Sequence, residues 1–252
     1  MPVPALLMRL PWLLPSSASL HAPAIDALLY SSLAILLGFL LLGHVLLLAG
    51  FFLPAQTTAR LKPAYRWALL LALVALFVWM TARAEHLWME TQMTPTQPDA
   101  LHVEVTGAQF QWYFRYAGAD GIFGRTRLEL ADAAAGNPLG IDPTDPHGSD
   151  DIVSAVLVLP AGRAVDLQLH SLDVIHGFFA PNLRIKMNAV PGRTTDLHVT
   201  PTVLGDYPIV CSQVCGLGHF RMHAVLRVVS PQEFARWMAQ QQAAQSTPTE
   251  QP

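Results

Sequence analysis

Apolar residues are not spread evenly along this chain. From residue 27 to residue 53 there is no Asp, Glu, Lys or Arg. Such a run exceeds the ~20 residues a helix needs to cross a ~30 Å hydrocarbon layer. A second apolar run follows at 66–88, with an uncharged core at 67–82. Arg83, Glu85 and His86 fall in its last turns, where charge is costly in lipid and calls for a protein partner or the interface. Trp79 and Trp88 suit an interfacial aromatic belt. The period then changes. Short alternating or β-branched stretches at 101–106, 109–116, 152–159, 164–170, 195–200 and 224–229 are separated by Gly and Pro and read as strands. The pattern predicts a two-helix transmembrane hairpin over 27–90 and an all-β sandwich or barrel over 95–230. A short helix and a polar tail follow over 231–252. Ser230 is a suitable N-cap for that helix, with Glu233 three residues on, and Phe234, Trp237 and Met238 give it an apolar face.

Residues 1–26 precede the first run. Leu6, Leu7, Leu10, Leu13 and Leu14 around Arg9 allow two readings. One is a signal-like segment with Ala22 near a cleavage point; the other is a short interfacial segment. Pro11 and Pro15 break the run and disfavour a third span. Between the two spans stand Arg60, Lys62 and Arg66, with no acid. The positive-inside rule puts that loop in the cytoplasm, and the N-terminus and the β region outside. In a bacterium this means the inner (cell) membrane, with the C-terminal domain in the periplasm.

Composition agrees. At 52% apolar and 13% charged residues the chain is too apolar for an ordinary soluble domain. A net charge of −3 identifies no partner by itself, and no nucleic acid is expected. Residues 131–151 are rich in turn formers and carry net negative charge, either as a mobile solvated loop or as an acidic surface for a basic partner.

The candidate chemistry lies near the C-terminal end of the β region. Cys211 and Cys215 are the only cysteines, and His219 and Met222 follow within the same twelve residues. Two cysteines outside the cytosol commonly form a disulfide. Zinc uses Cys and His but has little use for Met. Soft sulfur with imidazole and a weak thioether favours copper electron-transfer sites. A mononuclear site of that kind needs one Cys, and a second four residues on allows both sulfurs to bridge two ions.

Two spans, a positive inner loop, an outer β domain and this C-x3-C-x3-H-x2-M loop together resemble subunit II of the heme-copper cytochrome c oxidases. A second segment carries the resemblance further: Val158-Leu-Pro160 leads to Asp173-Val-Ile-His176 and on to Lys186-Met-Asn188-Ala-Val-Pro191. The resemblance implies a cupredoxin-like sandwich holding the dinuclear copper centre called CuA. Cys211 and Cys215 would bridge the two copper ions, and His176 and His219 would each bind one. Met222 and the backbone carbonyl of Gln213 would be the weak ligands. In the family an acid at Asp173 helps form the cytochrome c docking face; a turn-stabilising role is its plain alternative. The segment Gly107-Ala-Gln109-Phe110-Gln111-Trp112 resembles the family's aromatic strand, where an exposed Trp takes up the electron. Phe110 aligns with it, and Trp112 is two residues on. His170, His198 and His223 read as surface or interface residues, and His44 as a packing group.

Three features depart from the family pattern. Gln213 stands where a Glu usually supports a magnesium site, and Asn188 replaces a partnering Asp. Losing both carboxylates removes the charge a hard cation prefers, so magnesium is in doubt while the copper carbonyl is kept. The Glu often found at the start of the second span is missing. There is also no C-x-x-C-H motif for a fused heme.

The implied function is that of the electron-accepting subunit of a terminal oxidase, with no oxygen chemistry in this chain alone. A periplasmic cytochrome c or similar carrier would donate, and a heme-bearing subunit I, with a subunit III, would complete the complex. Two alternatives share the loop: the CuA subunit of a nitric oxide reductase, and a membrane-anchored copper-binding or delivery protein.

Overall fold

The computed structural model describes residues 14–52, 55–93 and 97–246. Most of the signal-like stretch, residues 1–13, lies outside the described residues. The chain divides into two compact units. One is the helical hairpin; the other joins residues 15–22 to everything from residue 95 onward.

The hairpin consists of α1 (Ala22–Phe52) and α2 (Ala55–Gln92), each long and apolar enough to cross a membrane. A helix suits lipid because it satisfies its backbone polar groups internally. The side chains follow the same logic. Leu40, Leu41, Leu47 and Phe51 are exposed, as lipid-facing groups would be. The hydroxyls of Ser31 and Ser32 return to the carbonyls of Ala27 and Leu28. His44 does likewise, with Nδ1 2.7 Å from the Leu40 carbonyl.

The second unit is a sandwich of two five-stranded sheets. The first runs β3 (Ile152–Ser154), β2 (Gln111–Tyr116), β1 (Leu101–Ala108), β5 (Val165–Ser171), β8 (Thr195–Val199). The second runs β4 (Val156–Pro160), β10 (His223–Val229), β9 (Gly205–Cys211), β6 (His176–Ala180), β7 (Ile185–Ala189). Alternation decides which side faces in. Val103 and Val105, then Trp112, Phe114 and Tyr116, then Leu167 and Leu169 are buried on the first sheet. They meet Leu157, Leu159, Phe178, Ile209 and Leu226 of the second in one core. Each such large side chain contributes about 1.5–3 kcal/mol on burial. The Tyr116 hydroxyl donates to the Val158 carbonyl and accepts from the Val158 N–H, bonding the two sheets together. The helix α3 (Pro231–Ser246) lays Trp237 edge-on against Tyr116, with ring centroids 5.0 Å apart. Its first turn is closed by bonds exchanged between Ser230 and Glu233.

The apolar run at 152–159 reads as one strand but forms two. β3 pairs with β2 in the first sheet, β4 with β10 in the second, and the chain changes sheets at Ala155. Ser154 makes the corner: its Oγ accepts from Val156 N and donates to Val156 O. Three further strands complete the second sheet. β6 is nearly all buried, and β7 carries Lys186 and Asn188 on its open side. β9 contains Pro208, which pairs with Val225 of β10 and lies beyond the reach of β6. A proline fits there because its missing N–H faces no partner strand.

The stretch 117–151 is built around ion pairs rather than left as a free acidic loop. Buried Arg115 holds buried Asp151, reaches Glu104 at 2.9 Å and donates to the Gly124 carbonyl. Arg127 meets Asp142 at 2.5 Å, Arg125 meets Asp145 at 3.0 Å, and His147 meets Asp120 at 2.6 Å.

Residues 15–20 complete this unit as a short strap. Ala18 N donates to the Asn182 carbonyl, Leu20 N to the Thr200 carbonyl, and Thr202 N to the Ala18 carbonyl. Ser19 Oγ bonds the Leu183 carbonyl, and Asn182 Nδ2 bonds Ser16. Ala18 and Ser19 are buried.

Candidate metal centre

Four pieces of chain meet at one end of the sandwich: the 107–112 turn, the turn before β6, the end of β9, and the loop 211–222. Close approach is what brings them together. Ser212 N donates to the Gly177 carbonyl at 2.8 Å. A Cβ on Gly177 would lie 2.3 Å from Ser212 Oγ, so a side chain there would hold the cysteine loop away from His176. Cys211 N is tied back to the Met222 carbonyl, which closes the loop on itself.

The loop turns its sulfurs inward. Cys211 Sγ and Cys215 Sγ are 3.8 Å apart, both thiols are free, and both residues are buried. A disulfide needs about 2.05 Å, so the pair is not bonded. Gln213 O lies 3.1 Å from Cys211 Sγ. His219 Nδ1 lies 3.6 Å, and Met222 Sδ 3.8 Å, from Cys215 Sγ. His176 arrives from β6, and one of its ring nitrogens and both sulfurs lie within 4.8 Å of one another. The structure thus brings together all six groups singled out in the sequence as ligands.

His176 is wholly buried, and its two nitrogens differ. Nε2 lies 2.7 Å from Asp173 Oδ1. Nδ1 is buried with no hydrogen-bond partner. A buried polar atom without a partner costs about 1–3 kcal/mol, so this one calls for a ligand. Two soft sulfurs, two imidazoles, a thioether and a carbonyl match a copper site better than a hard cation. Burial, and then the neighbouring Cys211 thiol, push the Cys215 thiol up to about 11. Thiolates form at such a pair when a cation replaces the protons.

Asp173 is engaged inward. Burial opposes its charge, but bonds from His176 and from the N–H groups of Gln109 and Val174 outweigh that and lower its pKa. Gln109 escaped the sequence reading as a site residue. Its N–H donates to Asp173 Oδ2, and its Nε2 donates to the Cys215 carbonyl at 2.7 Å, joining both halves of the site. Nothing in the pattern of types marks it; the role exists only once three loops converge.

The aromatic pair separates. Trp112 is 0% exposed, stacked edge-on against His176 and Phe178. It is a wall of the site and cannot touch a soluble donor, a correction to its expected docking role. Its inward position follows from the alternation of β2. Phe110 is half-buried over the cysteine loop, where a Cβ on Gly218 would fall 2.3 Å from its ring. His170, His198 and His223 stay outside the cluster: His198 bonds Asp166, His170 lies 3.4 Å from Thr194 Oγ1, and His223 is exposed.

Residues 101–229 match the family model described as cytochrome c oxidase subunit II, periplasmic domain. A relative from Bradyrhizobium diazoefficiens, named "Alternative cytochrome c oxidase subunit 2", is 37% identical over 152 residues. That match takes in 60% of this chain and 54% of the relative, so the chain spans about half of that relative's length. A "Probable cytochrome c oxidase subunit 2" from Streptomyces avermitilis is 27% identical over 88% of this chain and 76% of its own length. Among solved structures, the periplasmic domain of cytochrome oxidase subunit II (CoxB) of Bradyrhizobium japonicum is 26% identical, with a TM-score of 0.43. It covers 61% of this chain and 100% of that one. With its periplasmic domain matched from the first strand of the sandwich to the last, the chain belongs to the cytochrome c oxidase subunit II family.

Proposed function

We propose that this chain is the electron-accepting subunit of a heme-copper terminal oxidase, set in the bacterial inner membrane with its β unit on the periplasmic side. The observation that carries the reading is the buried, partnerless Nδ1 of His176 beside a free thiol pair 3.8 Å apart. Cys211 and Cys215 would hold two copper ions between them, with His176, His219, Met222 and the Gln213 carbonyl completing the CuA set. The chemistry such a pair supplies is one-electron uptake and release with little change in geometry. The protein contributes rigidity and dryness. Asp173 fixes the His176 ring through Nε2 and so leaves Nδ1 for the metal. Trp112 and Phe178 exclude water behind it. Phe110 closes the gap between the cysteine loop and the surface, where a cytochrome c or similar carrier would deliver its electron. A heme-bearing subunit I, with a subunit III, would receive it; the apolar faces of α1 and α2 suit such neighbours.

Purification of the intact complex tests this reading. Two coppers per chain, a purple absorption lost in Cys215→Ser, and oxygen turnover with a reduced carrier are expected. One copper per chain, or colour that survives Cys215→Ser, overturns the copper assignment. Turnover of nitric oxide in place of oxygen overturns the oxidase assignment.

A further inference from the structure

Strands β1, β5 and β8 lie side by side in the first sheet, and their registers put three polar residues in one row. His102 pairs with Asp166, and Asp166 pairs with His198. The next row, Val103, Leu167 and Leu197, is buried in the core. Side chains alternate across a strand, so His102, Asp166 and His198 stand on the outer face of the sheet. Neighbouring strands are only about 4.8 Å apart, which brings the polar tips of such a row within reach of one another.

The central carboxylate is buried although its strand face is the outer one. Asp166 is 6% exposed. His198 Nδ1 lies 2.5 Å from its Oδ1. Its Oδ2 is buried with no hydrogen-bond partner, and His102 Nδ1 stops 3.6 Å short of it. Among the described residues the ion-pair partners of Asp166 are these two imidazoles, with no Arg or Lys. The other buried aspartates each meet a guanidinium: Asp142 that of Arg127, Asp145 that of Arg125, and Asp151 that of Arg115. A buried carboxylate is costly unless a cation stands against it, and Asp166 is the one left without a permanent cation.

We propose that His102, Asp166 and His198 bind a divalent transition ion of the zinc class on the outer face of the first sheet. Two imidazoles and a carboxylate, with water in the remaining position, make a donor set that zinc accepts. A hard ion such as magnesium takes oxygen ligands instead. Asp166 supplies the charge, and His198 already stands against one of its oxygens. His102 is the arm that closes: its side chain is half-exposed and unbonded to Oδ2, so it can turn onto an ion held by that oxygen. The ion ties three strands at one level. The site is separate from the cysteine loop. Gly107, where a Cβ would meet the His176 ring, is five residues further along β1 than His102, about 17 Å at ~3.3 Å per residue. The proposal therefore stands or falls independently of the copper reading.

The test uses the purified complex, cleared of loosely held metal by a mild chelator, with zinc as the probe. The wild type should bind one zinc ion per chain more than His102→Ala, Asp166→Asn or His198→Ala, so that zinc sites on other subunits cancel in the difference. Each change removes a donor, and affinity should fall by more than the ~10-fold that losing a partner behind a ligand costs. Zinc-edge X-ray absorption of the wild type, less that of His102→Ala, should carry imidazole scattering. Zinc should raise the thermal midpoint of the wild-type chain and leave that of His102→Ala unmoved. His147→Ala, at an exposed histidine that also sits against an aspartate, should bind zinc as the wild type does. Equal zinc in the wild type and His102→Ala overturns the proposal. That variant changes a half-exposed side chain and decides the matter even if the Asp166 and His198 variants fail to fold. An equal loss in His147→Ala also overturns it, because the ion is then held by scattered surface histidines. Displacement of the zinc by an equal concentration of magnesium overturns the choice of ion class. A wild-type complex without a copper band overturns the copper reading alone, since the zinc difference is read with or without that band.

Discussion

Asp173 shows what a single side chain does here. Its two oxygens hold His176 and the Gln109 N–H, so it sets the direction of an imidazole rather than presenting charge to solvent. Asp173→Ala should keep the fold and weaken copper retention by about 10–100-fold, the usual cost of losing a partner behind a metal ligand. Competition with a chelator reads the loss, and unchanged circular dichroism excludes unfolding. His147 is a second case. Asp120 raises its pKa and is itself lowered. A raised histidine stabilises below its ordinary pKa of ~6.5 and loses that contribution as pH climbs past the folded value. NMR titration should therefore place His147 above ~6.5, and Asp120→Asn should bring it back down. At this scale four candidate ligands, Cys211, Cys215, His219 and Met222, could be read from softness and spacing, which are properties of residue type, while His176 and the Gln213 carbonyl came only with the family resemblance. The inward duty of Asp173 and the bridging duty of Gln109 could not, because each depends on loops remote in sequence.

Elements hold these residues in place by close approach and by buried charge. The crossing over Phe110 is one such approach: Gly218→Ala sets a Cβ against the ring and forces either the loop or the ring to move. The expected outcome is a shifted copper absorption, with the thermal midpoint lowered only modestly. Arg115 is the other kind of constraint. It lies on β2 and holds the buried carboxylate of Asp151 from the following loops. Arg115→Met should cost about 3–5 kcal/mol in urea unfolding, because it leaves a buried charge uncompensated. Strands β1, β2, β5, β8 and β10 were legible from their alternation. β6 is buried on both sides and β9 holds Pro208, so neither alternates apolar with polar; β7 does alternate, Ile185, Met187 and Ala189 against Lys186 and Asn188, but over only five residues. The corner at Ala155 was hidden for a different reason: both of its arms are apolar, and only their partners distinguish them.

The molecule as a whole is a hairpin of two apolar helices and a β sandwich with its reactive groups at one end. That division was plain in the sequence, since uncharged runs and alternating strands differ in period. The strap was not, because residues 15–20 show no strand pattern and acquire their bonds only from Asn182, Leu183, Thr200 and Thr202. Ala18→Asp in the full chain should lower the thermal midpoint of the β unit by the cost of a buried unpaired polar group, at least about 2 kcal/mol. An unchanged melt would show that the strap carries no weight. The same segment also orders events in time. Ser19 finds Leu183 across a separation of 164 residues, with the whole hairpin between them. Contacts that distant close late. The strap must therefore wait until the chain has been made through Thr202, past the eighth of the ten strands, and its docking comes late in the assembly of the β unit.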